Sequence, residues 1–357
     1  MEGTMKAAVL EEIGRFEIHN DIPIPQIGET DILVKVKYAA ICGSDLHVFN
    51  TGMFVDKLPF IIGHEFSGEI VEMGDKVEKL ALGDRIMGLN INFCGECWWC
   101  KNGDFHCPST AKGLGFYDQG AFAEYVVIKN ARLGFNVHKL PDSLNDRNGA
   151  LAEPCSVGWG NVDAMDVKAG DRVVVLGAGI IGLSCAVAAK AKGAEVVIMN
   201  RSKGRLEIAQ KAGIDHVYSP MDGDPVDYII DLWGNGQYPY HYGDREGGMA
   251  DVVFEAVGSP ATFEWAFNMV RAGGKVCIAG TATKKAEIDP NLIELKDPYI
   301  KSGLAGDFAK SVEMLANGTM NADAIITHEF TLDQIQEAFA MAADTKKSMK
   351  VVMKIAE

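Results

Sequence analysis

The sequence has no basic run. Its 34 lysines and arginines are scattered among 49 aspartates and glutamates, and the formal net charge is −15. A surface this acidic repels nucleic acid and anionic lipid, so neither is expected as a partner. The N-terminus, Met-Glu-Gly-Thr-Met-Lys, lacks the charged-then-apolar pattern of a secretion signal. Long uncharged stretches are scarce too. Val173 to Ala189 carries no charge, but it is marginal in length for a bilayer and holds Gly177, Gly179 and Gly182. It reads as a buried strand turning into a buried helix. There is no internal repeat and no low-complexity segment. What is present, 357 residues of which 48% are hydrophobic, suffices for two domains with sizeable cores.

Half of the eight cysteines fall in one 14-residue stretch, and the others are Cys42, Cys155, Cys185 and Cys277. A large acidic chain without a signal is expected in the cytoplasm, where thiols stay reduced. Clustered cysteines there point to metal rather than to disulfides.

The first part reads as β-rich. Ile32 to Tyr38 alternates as a strand does, Gly63 to Gly88 mixes short apolar runs with Gly-Asp turns, and Ala121 to Ile128 looks like another strand. The texture changes near Asp171. Arg172 to Leu176 is a short strand, followed by a glycine turn and a helix over about 180–192 that Gly193 stops. Val196 to Met199 is the next strand. Ser202 is placed to cap a helix ending near Ala212, with Gly213 beyond it. Val217, Val252 to Ala256 and Val276 to Ala279 continue the alternation. Strands alternating with helices imply a parallel sheet covered on both faces. The expected division is therefore a doubly wound domain over 156–290, with 1–155 and 291–357 forming the other domain. The stretch from Tyr238 to Gly248, aromatic and glycine-rich, reads as a loop: a surface insertion, a lid or a subunit contact.

Cys94, Cys97, Cys100 and Cys107 sit at short gaps in one loop, with Gly95 and Gly103 free to make tight turns. Four sulfur ligands with no open position describe a structural zinc, and an iron–sulfur cluster is the competing reading. His106 adjoins the set, which four thiolates already complete. A second constellation is dispersed: Cys42-Gly43-Ser44-Asp45-Leu46-His47, Gly63-His64-Glu65 and Glu153-Pro154. A catalytic zinc takes three protein ligands and keeps one exchangeable position, and Cys42, His64 and one carboxylate supply such a set.

Gly177-Ala178-Gly179-Ile180-Ile181-Gly182 follows a strand and opens a helix, the context a dinucleotide turn requires. Its glycines allow the tight turn and close approach of a pyrophosphate at the helix N-terminus. Gly258 and Thr281 end two further strands and are expected on the nicotinamide side. At the end of the second strand an NAD site wants an acid for the ribose hydroxyls. Asn200 stands there instead, with Arg201 beside it and Arg205 one turn on. Removing the acid relieves repulsion and the arginines can pair with a 2′-phosphate, so NADP(H) is expected over NAD(H).

In this order and combination, the segments resemble the zinc-containing polyol and secondary-alcohol branch of the medium-chain dehydrogenase/reductase family. That branch includes sorbitol, ketose, butanediol and threonine dehydrogenases. The resemblance covers nearly the whole chain. It implies an α/β protein with a GroES-like β-rich catalytic domain and a Rossmann cofactor domain. It also implies catalytic and structural zinc, and a dimer or tetramer. Cys42 and His64 become ligands of the catalytic zinc. Glu153 stands where the ethanol-type branch has a cysteine ligand, and Glu65 and Glu153 compete for the remaining place. Cys155 is read as a buried bystander. Asp45 resembles the carboxylate that orients the ligand histidine. Ser44 and His47 match the relay that takes the proton from a secondary hydroxyl while its carbon gives a hydride to the nicotinamide. Sugars, polyols, diols and amino alcohols all suit that chemistry. Phe116, Tyr117 and Asp297-Pro298-Tyr299 are candidate pocket residues. Competing readings are an NAD-dependent threonine- or butanediol-type enzyme, a zinc-free quinone or enone reductase, and a zinc- and NADPH-binding protein without catalysis.

Overall fold

The computed structural model describes residues 1–89, 94, 96–102, 107–109, 113–236, 247–282, 284–302 and 306–356. The chain forms two compact units, Met1–Pro154 with Phe308–Glu357, and Cys155–Asp307. No helix among the described residues is long and apolar enough to cross a membrane.

The second unit is built on six parallel strands. Their order is His216–Tyr218, Glu195–Met199, Arg172–Leu176, Ala250–Glu255, Val270–Ile278 and Tyr299–Lys301. The central strands are runs of β-branched side chains, and Val173, Val174, Val175, Val196, Val197 and Ile198 are all sealed from solvent. Such runs suit a sheet covered on both faces. The helix Ile180–Ala191 packs beside the strands Arg172–Leu176 and Glu195–Met199 and is buried along most of its length, Ser184 and Cys185 donating to the Cys155 and Gly158 carbonyls. Asp224 caps Pro225–Trp233 by accepting from the Val226 and Asp227 amides. Ser202 does occupy the N-cap of Lys203–Lys211, but its side chain makes no capping bond.

The expected boundary at residue 290 moves to 307. Tyr299–Lys301 pairs in parallel with Val270–Ile278, and the helix Pro290–Lys296 connects them. Lys296 locks this connection, because its buried Nζ donates to the carbonyls of Phe267, Asn268 and Val270 at 2.6, 2.9 and 2.9 Å. Those carbonyls close the end of the helix Pro260–Met269. A three-residue strand with all three side chains exposed leaves little periodic signal, so the pattern alone stops short of it. Most of the 238–248 loop lies outside the described residues.

The first unit holds the hairpin Thr4–Glu12 with Arg15–Pro23 and a seven-stranded sheet. Along that sheet run Ile326–Thr331, Lys350–Lys354, Ile32–Ala40, Glu65–Met73, Arg85–Gly88 and Val137–Lys139, and Tyr125–Ile128 pairs with Ile32–Ala40. One apolar core joins hairpin and sheet, with Leu10, Ile32, Leu33, Ile62, Phe66, Phe122 and Phe339 at its centre.

Candidate active site

Strand register brings the dispersed residues together. Ala40 ends one strand opposite Glu65, which begins the next, and on its other side it faces Val352. Two residues beyond Ala40, Cys42 is the N-cap of the helix Gly43–Thr51. Asp45 in the first turn accepts from the Cys42 amide at 2.8 Å. His64 precedes Glu65 and is reached through Gly63, whose φ of +100° favours glycine; a β-carbon there would fall 2.8 Å from the Phe122 ring. Cys42, His64 and Glu65 thus place one ligand atom each within 4.8 Å of one another. Glu153 is buried at the start of the helix Ala152–Ala164 and falls outside that close set.

The electrostatics of this cluster fit a divalent cation. His64 Nδ1 and Asp45 Oδ1 are 3.4 Å apart and both are buried. Among the described residues neither atom finds a hydrogen-bond partner, and neither does Glu65 Oε1. Burial pushes the His64 imidazole down, but Asp45 and Cys42 outweigh it and hold it well above the usual histidine range. Burial, with Glu65 and Asp45, pushes Glu153 up to about 7 against the pull of His64 and Lys350. Buried acids with unanswered oxygens beside a cysteine and a histidine are the donor set of a catalytic zinc. The Asp45–His64 approach suits a carboxylate that orients a ligand imidazole.

One participant has no counterpart in the sequence reading. Lys350 is buried and forms an ion pair with Glu65 Oε2. Its Nζ also donates to the Ile41 carbonyl at 2.9 Å. Burial lowers the Lys350 ammonium, yet Glu65, Cys42 and Asp45 together raise it above the usual lysine range. Only a lysine ahead of the apolar run Val351-Val352-Met353 marked it in the sequence, and Lys354 closes the same strand. Ser44 and His47, three residues apart and half-buried, share a face of the helix Gly43–Thr51. The Phe116 ring packs 4.9 Å from His64, and Phe54 meets Phe116 edge-on at 5.9 Å. Tyr117 is exposed. Asp297 caps its helix in the left-handed region and Tyr299 starts the edge strand, both in the second unit.

The four-cysteine lobe is a separate centre. Sγ atoms of Cys94 and Cys100 are 3.8 Å apart and those of Cys94 and Cys107 3.6 Å. A tetrahedron with zinc–sulfur bonds of about 2.3 Å has sulfur–sulfur edges of about 3.8 Å. Backbone amides turn toward the sulfurs: Cys97 N to Cys94, Cys100 N to Cys97 and Ser109 N to Cys107, at 3.3–3.4 Å. Amides donating to it, from Cys94 above all, pull Cys107 down to about 6. Donors from Glu96 and Cys97 likewise lower Cys94. Gly95, Gly103 and His106 lie outside the described residues.

In the second unit the glycine turn forms a cradle. Gly177 takes a φ of +105°, and a β-carbon there would lie 2.8 Å from Val257. One on Gly182 would lie 1.9 Å from the Gly177 carbonyl, whereas one on Gly179 would meet nothing closer than Arg205 Nη1 at 3.8 Å. Gly179 caps the helix without a side chain, so no side-chain bond closes its first turn, and the space beside the turn is bordered by Arg205 Nη1. That space fits a pyrophosphate. Asn200 Oδ1 accepts from the Ala178 amide at 3.3 Å, Arg201 is exposed and Arg205 is half-buried. Gly258 and Thr281 adjoin, since a β-carbon on Gly258 would lie 2.4 Å from the Thr281 carbonyl. Cys155 is buried, and its carbonyl accepts from Ser184.

Residues 28–142 match the family model of the alcohol dehydrogenase GroES-like domain, and residues 181–320 match that of the zinc-binding dehydrogenase. An L-threonine 3-dehydrogenase of Rhizobium etli is 34% identical, over 99% of either chain. A sorbitol dehydrogenase of Bacillus subtilis is 32% identical, over 98% of this chain and 96% of its own. Among solved structures, 2R,3R-butanediol dehydrogenase from Bacillus subtilis shares 31% identity at a TM-score of 0.84, over 98% of this chain and 99% of its own. A zinc-binding dehydrogenase from Sinorhizobium meliloti, bound to NADP, shares 30% identity at a TM-score of 0.86 over the same shares. Matched in both halves and along nearly its full length, this chain belongs to the zinc-dependent medium-chain dehydrogenases, oxidoreductases that act on alcohols.

Proposed function

We propose that the protein transfers a hydride between NADP(H) and a secondary alcohol or ketone of the polyol, sugar or diol class. The buried set of Cys42, His64 and Glu65, with its unanswered polar atoms, carries this reading. Bound there, zinc supplies Lewis acidity toward the substrate oxygen, and the nicotinamide supplies or accepts the hydride. The protein's own residues do the rest. Asp45 fixes the His64 ring, and Lys350 answers the charge of Glu65. Ser44 and His47 pass the proton between substrate hydroxyl and solvent. Phe116 and Phe54 give the His64 side an apolar wall that suits the carbon chain of a small substrate. Relatives named for sorbitol and 2R,3R-butanediol support this class. Relatives named L-threonine 3-dehydrogenase favour an amino alcohol as the second reading.

The cofactor choice rests on Asn200. Its amide oxygen serves the Ala178 backbone, so no carboxylate stands at that strand end to repel a 2′-phosphate. Exposed Arg201 is the phosphate's partner. Turnover is measured across polyols, diols, amino alcohols and ketoses with NADP and NAD in parallel. A higher kcat/KM with NADP is expected, and Arg201→Ala should cost NADP about ten-fold or more while sparing NAD. Equal or better efficiency with NAD sinks the cofactor assignment, and activity on amino alcohols alone sinks the polyol class.

A further inference from the structure

The strand Ala250–Glu255 ends in a charge that the reaction outlined above leaves unused. Glu255 is sealed from solvent. Its Oε1 accepts from the Val257 and Gly258 amides, each at 2.9 Å, and from the Thr262 hydroxyl at 2.7 Å. Its Oε2 is buried as well and meets no donor among the described residues. One oxygen therefore ties the turn after the strand to the first turn of the helix Pro260–Met269. That task needs an acceptor, not a charge, and an amide oxygen would do it equally well. A buried carboxylate with a bare second oxygen costs stability wherever nothing answers it.

Its position says what answers it. Glu255 stands in register with Leu176, the last residue before the glycine turn. Sheet order reverses between these two strands, and doubly wound sheets bind their ligands at the carboxyl ends beside that reversal. Gly177–Gly182 and Asn200 would hold the pyrophosphate and adenosine side, and the other half of a dinucleotide bound there would lie toward the ends of Ala250–Glu255 and Val270–Ile278. Its nicotinamide ring is cationic when oxidised and neutral when reduced.

We propose that Glu255 is a selector of cofactor redox state, a fixed buried negative charge that favours the oxidised dinucleotide over the reduced one. It acts through its field and touches neither form. The inference rests on the dinucleotide reading of this unit. Kd values for NADP and NADPH are measured by calorimetry on the parent protein, Glu255→Gln, Glu255→Asp and Thr262→Val. Glu255→Gln keeps an oxygen for the three donors and removes the charge. The Kd for NADP should rise about ten-fold while that for NADPH changes less than about two-fold, since only the cationic ring senses the charge. Glu255→Asp and Thr262→Val keep the charge, so any weakening should be equal for both forms. A common shift in Glu255→Gln, or a ratio altered alike in Glu255→Asp, overturns the inference. So does a Glu255→Gln protein that cannot fold, because the charge would then serve the fold. A parent protein that binds neither form overturns the dinucleotide reading itself.

Discussion

The two sulfur-bearing centres of the first unit are opposites in construction. The lobe at Cys94, Cys97, Cys100 and Cys107 is contiguous, borders solvent and draws amide donors from its own backbone. The set at Cys42, His64 and Glu65 is assembled from two segments distant in sequence, at the end of one strand and the start of the next, is largely buried, and borrows its cation from Lys350. Four thiolates leave no coordination position, so the lobe can only staple. The dispersed set offers three donors of three kinds and leaves room for substrate. On the proposed reading, contiguity goes with the structural site and dispersion with the chemical one.

Substitution separates them. Cys42→Ser should cost at least about a thousand-fold in turnover, because the ligand set of the Lewis acid is lost. Metal analysis should then find one zinc per chain instead of two, with circular dichroism unchanged. Retained activity would remove the metal mechanism. Cys97→Ser should do the reverse. Turnover at low temperature should survive, while the melting temperature falls by about 10 °C as structural zinc binding is lost. A variant that melts with the parent but does not turn over would erase the distinction.

The smallest effect is a titration. Burial raises Glu153 to about 7 from an ordinary 4.5. A raised acid favours the folded state only while protonated, so its cost is absent below pH 4.5, grows as pH rises and is complete above 7. In metal-stripped protein, Glu153→Gln should match the parent near pH 4 and exceed it by ~2 kcal/mol at pH 8. Denaturant titrations at both values decide it, and a gain of equal size at pH 4 would assign the effect to packing instead.

Much of this was legible in the sequence because local rules and global fold agree. The alternation after Asp171, the glycine turn and the cysteine spacing are all short-range patterns, and the structure forms each one. The edge strand Tyr299–Lys301 escaped because it is short and exposed, which displaced the domain boundary. Lys350 escaped because its partners Glu65 and Ile41 are brought to it by strand register alone. Glu255 looks like the polar end of any apolar strand until its bare oxygen is seen. The spatial relation of Glu65 and Glu153 was not legible either: Glu65 shares the close set with Cys42 and His64, and Glu153 falls outside it.

The pairing of Lys350 with this cluster also has a consequence in time. Lys350 and its acceptor Ile41 are separated by 309 positions, with the whole second unit between them. Ribosomes deliver chains from the N-terminus at about 5–20 residues per second, so the cysteine, histidine and acids emerge roughly 15–60 seconds before the lysine. During that interval the nascent acid cluster lacks the ammonium that pairs with Glu65 in the finished fold, and the sheet lacks the strand that carries it.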